Sequence, residues 1–150
     1  MALAISERKP PRQDDRTAVD PADVAKIPAP STVLVVDDER LIRWSVRQGL
    51  TRRGHTVFEA PSAAETVQLL MSRTAAFDVI LLDYRLPDRQ DLTLLREIRA
   101  LSPESVVFMM TAYGEGSMRT GALALGARAV IDKPFQVGAV VTLIETATIR

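Results

Sequence analysis

Val79-Ile80-Leu81-Leu82-Asp83-Tyr84-Arg85-Leu86-Pro87 is the stretch that decides the fold. Its apolar residues follow one another with no polar residue alternating among them. That pattern predicts a strand buried on both faces, as in a parallel sheet covered by helices. Asp83 ends the run, and Pro87 blocks regular continuation. Asp83 is therefore expected at the carboxyl edge of a sheet, where open α/β folds bind ligands. Taken singly, an aspartate after a strand does no more than open a turn. Its meaning depends on what else gathers at that edge.

Working outward, short apolar runs alternate with amphipathic stretches from Thr32 onward. Val33-Leu34-Val35-Val36 is a first buried strand that runs into Asp37-Asp38-Glu39. A helix follows, with Asp38 expected as its cap, Ile42, Val46 and Leu50 as its apolar stripe, and Gly54 as its stop. Residues 56–59 alternate as a second strand. Ser62-Ala63-Ala64-Glu65 reads as a capping box for a helix that places Ala64, Val67 and Met71 on one face. After the Asp83 strand, Leu94, Ile98 and Leu101 mark a third helix ending before Pro103. Val106-Val107-Phe108-Met109-Met110 is a fourth strand ending at Thr111. Met118, Ala122 and Leu125 stripe a helix stopped by Gly126. Ala129-Val130-Ile131 is a brief fifth strand leading to Asp132-Lys133-Pro134-Phe135. Val137, Val140, Val141 and Ile144 stripe the last helix. No two strands are joined by a tight hairpin. The expected fold is a doubly wound α/β domain with a five-stranded parallel sheet in the flavodoxin-like order 2-1-3-4-5 and helices on both faces.

Composition narrows the chemistry. At 47% hydrophobic and 25% charged residues, the 150-residue chain can bury a sizeable core. Its 19 basic and 19 acidic residues cancel, so no global field attracts nucleic acid or an anionic membrane. The absence of cysteine excludes disulfides, thiolate zinc sites and cysteine nucleophiles. The single histidine, His55, excludes a multi-histidine metal site; it follows Gly54 in a turn and is expected at the surface. No apolar run approaches the roughly 20 residues that span a bilayer, and a cytoplasmic location is expected. Residues 1–30 hold five of the nine prolines and no sustained apolar period. They are expected to form a disordered, Pro-rich arm ahead of a folded domain at 31–150.

Reactive polar residues stand at the exits of strands one, three, four and five: Asp37 and Asp38, Asp83, Thr111, and Lys133. Only the exit of strand two, at Glu59-Ala60-Pro61, lacks an evident role. In the order 2-1-3-4-5, strands one and three flank the point where the winding reverses, so the acidic residues converge where a crevice opens. Carboxylates crowded in a small cleft repel one another, and a divalent cation relieves that repulsion. Oxygen ligands without sulfur or imidazole favour Mg2+, with Mn2+ as the alternative. A metal, a lysine and a hydroxyl around one aspartate suit transfer of a phosphoryl group onto that aspartate.

Asp37-Asp38-Glu39, Leu82-Asp83 with Leu86-Pro87, Met110-Thr111-Ala112, Gly126-Ala127 and Lys133-Pro134-Phe135 together resemble the receiver domain of two-component response regulators, from about Thr32 to the end of the chain. Ile42-Arg43-Trp44 and Met110-Thr111-Ala112-Tyr113-Gly114 are most similar to receivers of the nitrogen-regulation type, which precede sigma-54 activator modules. The resemblance implies that Asp83 accepts phosphate from a phosphohistidine on a sensor histidine kinase. It implies that Asp38 and Asp83 bind Mg2+ directly, that Asp37 acts through water, and that the backbone carbonyl of Arg85 adds an oxygen. Lys133 and Thr111 would contact the phosphoryl group, and Arg85 and Tyr113 fall where receivers tune acyl phosphate lifetime. A receiver is a phosphoprotein switch in a phosphorelay rather than an enzyme with its own substrate.

Two departures stand out. Receivers commonly carry an aromatic switch residue three positions before the lysine, where this chain has Val130. A glycine common after Leu86-Pro87 is replaced by polar residues in Asp88-Arg89-Gln90-Asp91. Arg43, Trp44, Arg47 and the Pro134-Phe135 loop resemble a kinase-facing surface, although Trp44 also suits half-buried packing. The partners implied are the kinase and a downstream protein or an output domain on a longer chain; a phosphorylation-dependent homodimer is compatible with this, and direct nucleic-acid or membrane binding is not expected. Two other classes stay open. One is an aspartate-nucleophile phosphatase of the haloacid dehalogenase type, whose pattern carries a second acid where this chain has Arg85. The other is a receiver-like adaptor that never carries phosphate.

Overall fold

The computed structural model describes residues 29–112 and 116–148. The expected disordered arm, apart from Ala29 and Pro30, lies outside the described residues, as does Tyr113. The elements alternate without exception: β1 (Thr32–Val36), α1 (Arg40–Thr51), β2 (Thr56–Ala60), α2 (Ala63–Ser72), β3 (Val79–Asp83), α3 (Thr93–Leu101), β4 (Val106–Thr111), α4 (Gly116–Ala124), β5 (Ala129–Asp132) and α5 (Val137–Thr148). The strands form one parallel sheet in the order β2-β1-β3-β4-β5, as the sequence predicts.

Strand periodicity of two divides the core. Leu34, Val36, Ile80, Leu82, Val107 and Met109 face α2, α3 and α4, where Ala63, Leu94, Leu95, Ile98, Met118 and Ala122 pack. Val33, Val35, Val79, Leu81, Phe108 and Met110 face the other way, toward Val46 and Leu50 of α1 and Val140, Val141 and Ile144 of α5. Every residue of β3 is buried, which is why its sequence is a continuous apolar run rather than an alternation. Each fully buried Val, Leu or Ile contributes roughly 1.5–3 kcal/mol of transfer free energy before entropy is counted. Helices α1 and α5 approach closely at Gly49, where a Cβ would lie 2.7 Å from the Val137 side chain.

Three local expectations are corrected. Asp38 does not cap α1: Glu39 is the N-cap and makes no side-chain capping bond, while Asp37 Oδ1 accepts from the Glu39 N–H at 2.8 Å. The buried face of α2 is Ala63 and Thr66, with Val67 and Leu70 half-buried, whereas Ala64 is exposed and Met71 is 72% exposed. Ser62 does cap this helix, accepting from the Glu65 N–H. The phase of the stripe shifts because Thr66 donates its hydroxyl to the Ser62 carbonyl at 2.8 Å. With its polar atom satisfied locally, Thr66 is buried as an apolar residue would be. In α3 the stripe is Leu94, Leu95 and Ile98, and Leu101 is left 43% exposed.

A fourth correction concerns His55. It is buried, not superficial. Its Nδ1 accepts from the Ser31 N–H at 3.0 Å, which leaves the ring proton on Nε2, 3.2 Å from Glu145 Oε1. Arg53 closes the other side of Glu145 through bonds of 2.7 and 2.8 Å. The cluster ties the entry to β1 to the last turns of α5, at the opposite edge of the sheet from Asp83.

Candidate functional site

The strand register brings the exits of β1, β3, β4 and β5 to one edge. Asp37 follows β1, Asp83 ends β3, Thr111 ends β4 and Lys133 follows β5. Main-chain bonds tie these exits together: Asp37 N–H donates to Ala60 O at 3.1 Å, Tyr84 N–H to Met110 O at 2.8 Å and Lys133 N–H to Thr111 O at 2.7 Å. The reactive side chains are therefore carried on short segments, each anchored to a neighbouring strand.

Asp37, Asp38 and Asp83 each offer a carboxylate oxygen within 4.8 Å of the others. Asp37 is fully buried, Asp83 is buried and Asp38 is exposed, so the cluster opens to solvent on the Asp38 side. Lys133 Nζ lies 2.6 Å from Asp37 Oδ2, 3.3 Å from Asp83 Oδ2 and 3.5 Å from Glu39 Oε1. Thr111 is buried at the end of β4, beside this group.

The electrostatics follow from burial. Burial, and after it the charge of Asp37, push the Asp83 carboxyl up to about 6 against the opposing effects of Lys133 and the Arg85 N–H. Burial likewise raises Asp37, although Lys133 and the Glu39 N–H hold it back. For Lys133, burial alone would lower the ammonium, but Asp37 and Asp83 override it and hold it above its ordinary range. One lysine thus leaves the acids short of positive charge. Three oxygen donors, a residual negative charge and an open side fit a hard divalent cation of the Mg2+ type.

The sequence places Arg43 on a kinase-facing surface and gives Glu59 no role, and neither is expected to support the acidic cluster. Arg43 Nη1 donates to the carbonyl of Asp37 at 2.7 Å, and its Nε lies 3.3 Å from Glu59 Oε1. The exit of β2 therefore does contribute, through Glu59. No local signal marks this pair, because sixteen positions separate its members. Asp88, in the loop after Pro87, accepts from the Ala63 and Ala64 N–H groups at 2.9 and 3.0 Å. The polar residue in place of glycine pins that loop to the start of α2. Val130 is half-buried against the α2–α4 face, and Arg119 of α4 donates to its carbonyl at 3.2 Å and to Asp132 at 2.8 Å. Trp44 is 56% exposed, beside Leu41 at 71%. Both lie on the solvent face of α1 near a shallow groove lined by Leu41, Ile42, Pro134 and Phe135.

Comparison with known proteins agrees with this fold. The transcriptional regulator NtrC of Escherichia coli K12 is 36% identical over 115 residues, covering 77% of this chain but 24% of that protein. The chain thus spans about a quarter of the length of its NtrC relatives. The chemotaxis protein CheY of Bacillus subtilis is 30% identical over 69% of this chain and 86% of its own. A response regulator protein from Burkholderia pseudomallei, crystallised with a phosphorylated aspartic acid, a calcium ion and citrate, aligns with a TM-score of 0.70 at 26% identity, over 79% of this chain and 68% of that one. The sequence profile of the response regulator receiver domain matches residues 33–145, and the chain accordingly belongs to that family.

Proposed function

We propose that residues 31–150 are a phosphorylation-controlled switch whose acceptor is Asp83. The observation that carries this reading is the convergence of Asp37, Asp38 and Asp83 within 4.8 Å, with Lys133 Nζ bridging Asp37 and Asp83. With a carboxyl near 6, Asp83 is ionised above neutrality and more basic than an ordinary aspartate. Its free oxygen attacks the phosphorus of a phosphohistidine on a sensor histidine kinase. The P–O bond forms as the P–N bond breaks, and the imidazole leaves with the electron pair. Asp38 and Asp83 would hold Mg2+ directly, Asp37 through water, and the Arg85 carbonyl would complete the oxygen set. The cation, when bound, neutralises negative charge on the phosphoryl oxygens.

Lys133 supplies the second positive charge. In the resting protein it is held by Asp37 and Asp83; once Asp83 is an acyl phosphate, the phosphoryl oxygens outcompete the neutralised carboxyl for the ammonium. The Thr111 hydroxyl donates to the same oxygens. Both movements bear on β4 and β5, and through Arg119, Val130 and Asp132 on α4. A two-position element in α4 and the preceding loop is thereby biased. Arg85 and Tyr113, each two positions beyond a site residue, limit access of water to the acyl phosphate. The partner is a downstream protein or an output domain, as the DNA-binding relative NtrC illustrates for its own chain. Among the described residues no helix is long and apolar enough to cross a membrane, and we place the switch in the cytoplasm.

The test is incubation with acetyl phosphate and Mg2+, followed by intact mass. A single labile phosphoryl addition, absent in Asp83→Asn, supports the switch. Turnover of a small phosphomonoester would instead favour a phosphatase, and the absence of any addition would favour a phosphate-independent adaptor.

A further inference from the structure

Asp38, the exposed member of the acidic cluster, is placed by the peptide that joins it to Asp37. Asp37 is held on both sides, through the preceding peptide from the strand side and through the peptide to Asp38 from the helix side. The Asp37 N–H donates to Ala60 O at 3.1 Å, and its carbonyl accepts from Arg43 Nη1 at 2.7 Å. Arg43 is itself fixed: its side chain is only 15% exposed, and its Nε meets Glu59 Oε1 at 3.3 Å. Glu59 takes a second guanidinium, Arg47, on its other oxygen at 2.7 Å.

The orientation of Arg43 carries the argument. A guanidinium next to three carboxylates would ordinarily pair with one of them and occupy an oxygen that a cation needs. Here its bonds go to a neutral carbonyl and to Glu59, a carboxylate outside the cluster. Glu59 both orients Arg43 and offsets its charge, so the acidic oxygens are left to Lys133 on the inner side and to solvent on the outer side.

We infer that Arg43 is a positioning residue for cation binding, fixing the Asp37–Asp38 peptide through the Asp37 carbonyl, with Glu59 as the residue that locks it. The inference rests on the reading of the cluster as a Mg2+ site. It makes an unusual demand on sign. Removing a positive charge beside a cation site should strengthen binding by simple electrostatics, whereas loosening the turn should weaken it.

The test is calorimetric titration of Mg2+ alone into the full chain at pH 8, without phosphodonor. Wild type is compared with Arg43→Gln, Arg43→Lys and Arg40→Gln, where Arg40 is an exposed residue that makes the same change of charge on the same helix. Arg43→Gln is expected to weaken Mg2+ binding about tenfold, the range found for residues that orient metal ligands. Arg43→Lys keeps the charge but cannot bridge Glu59 and the carbonyl as a fork does, and is expected to weaken binding too. Arg40→Gln is expected to bind at least as tightly as wild type. Unchanged or tighter binding by Arg43→Gln overturns the inference; should that variant fail to fold, unchanged binding by Arg43→Lys does so. If wild type itself takes up neither Mg2+ nor phosphate, the switch reading fails instead.

Discussion

The ammonium of Lys133 and the carboxylate of Asp37 meet at 2.6 Å across ninety-six positions of sequence, reaching from the exits of β5 and β1, two strands that β3 and β4 separate in the sheet. The same ammonium is shared with Asp83 at 3.3 Å, so one charge serves both buried carboxylates. The consequences of this shared charge can be measured.

In the metal-free protein, Asp83 should oppose folding when ionised. Its folded-state carboxyl stands near 6, above its ordinary 3.8, so the native state holds the proton more tightly than the unfolded chain. Stability from this group is present at low pH and is lost as pH rises through that window. Asp83→Asn should raise the melting temperature in EDTA at pH 8, by an amount worth on the order of 1–3 kcal/mol, and should flatten the profile between pH 4 and 6. Mg2+ should restore wild-type stability and leave the variant largely unaffected. A wild-type profile that rises through this window in EDTA would contradict the burial argument.

Lys133→Gln separates charge from chemistry. Removing the ammonium leaves Asp37 and Asp83 uncompensated, so the metal-free variant should melt lower at pH 8 while titration with Mg2+ shows tighter binding. Acetyl phosphate labelling should be slower, because one of the two positive charges facing the phosphoryl oxygens is gone. Weaker Mg2+ binding would mean that Lys133 organises the cluster rather than competing for it.

Asp88 accepts two N–H groups at the start of α2. Asp88→Ala should cost about 1 kcal/mol in urea unfolding, the usual scale for a lost helix cap. The same change frees the loop that follows Asp83, and the lifetime of the acyl phosphate, followed by mass, should shorten. Equal lifetimes would separate loop anchoring from the chemistry.

Glu145 has its carboxyl held below the ordinary value, chiefly by the Arg53 side chain and also by His55. Its contribution is present above the unfolded value of 4.5 and is lost as pH falls through the folded one. Glu145→Gln should therefore be less stable than wild type at pH 7, and the gap should close as the pH is taken below 4. Urea midpoints across that range decide it, and a gap independent of pH would assign the effect to shape rather than charge.

These predictions differ in how far the chain alone could have suggested them. Asp83, Asp38, Asp37, Thr111 and Lys133 are legible as a group because each terminates an apolar run, and the alternation of runs with amphipathic helices dictates a parallel sheet whose exits share an edge. Hydrophobic periodicity is local, so it survives in the sequence. The buried face of α2 is less legible, since the satisfied hydroxyl of Thr66 packs as a methyl-bearing side chain would.

The amino-acid order by itself determined the architecture: apolar residues must leave water in strands and stripes, and the doubly wound order 2-1-3-4-5 sets the acidic exits of β1 and β3 side by side. What only the tertiary structure decided is which charges are paired. His55 lies against Glu145 and not in solvent, Arg43 turns to a carbonyl and to Glu59, and Asp88 reaches back to α2. Such pairings depend on angstrom-scale register between segments distant in sequence, and a buried polar group accepts whichever partner that register presents.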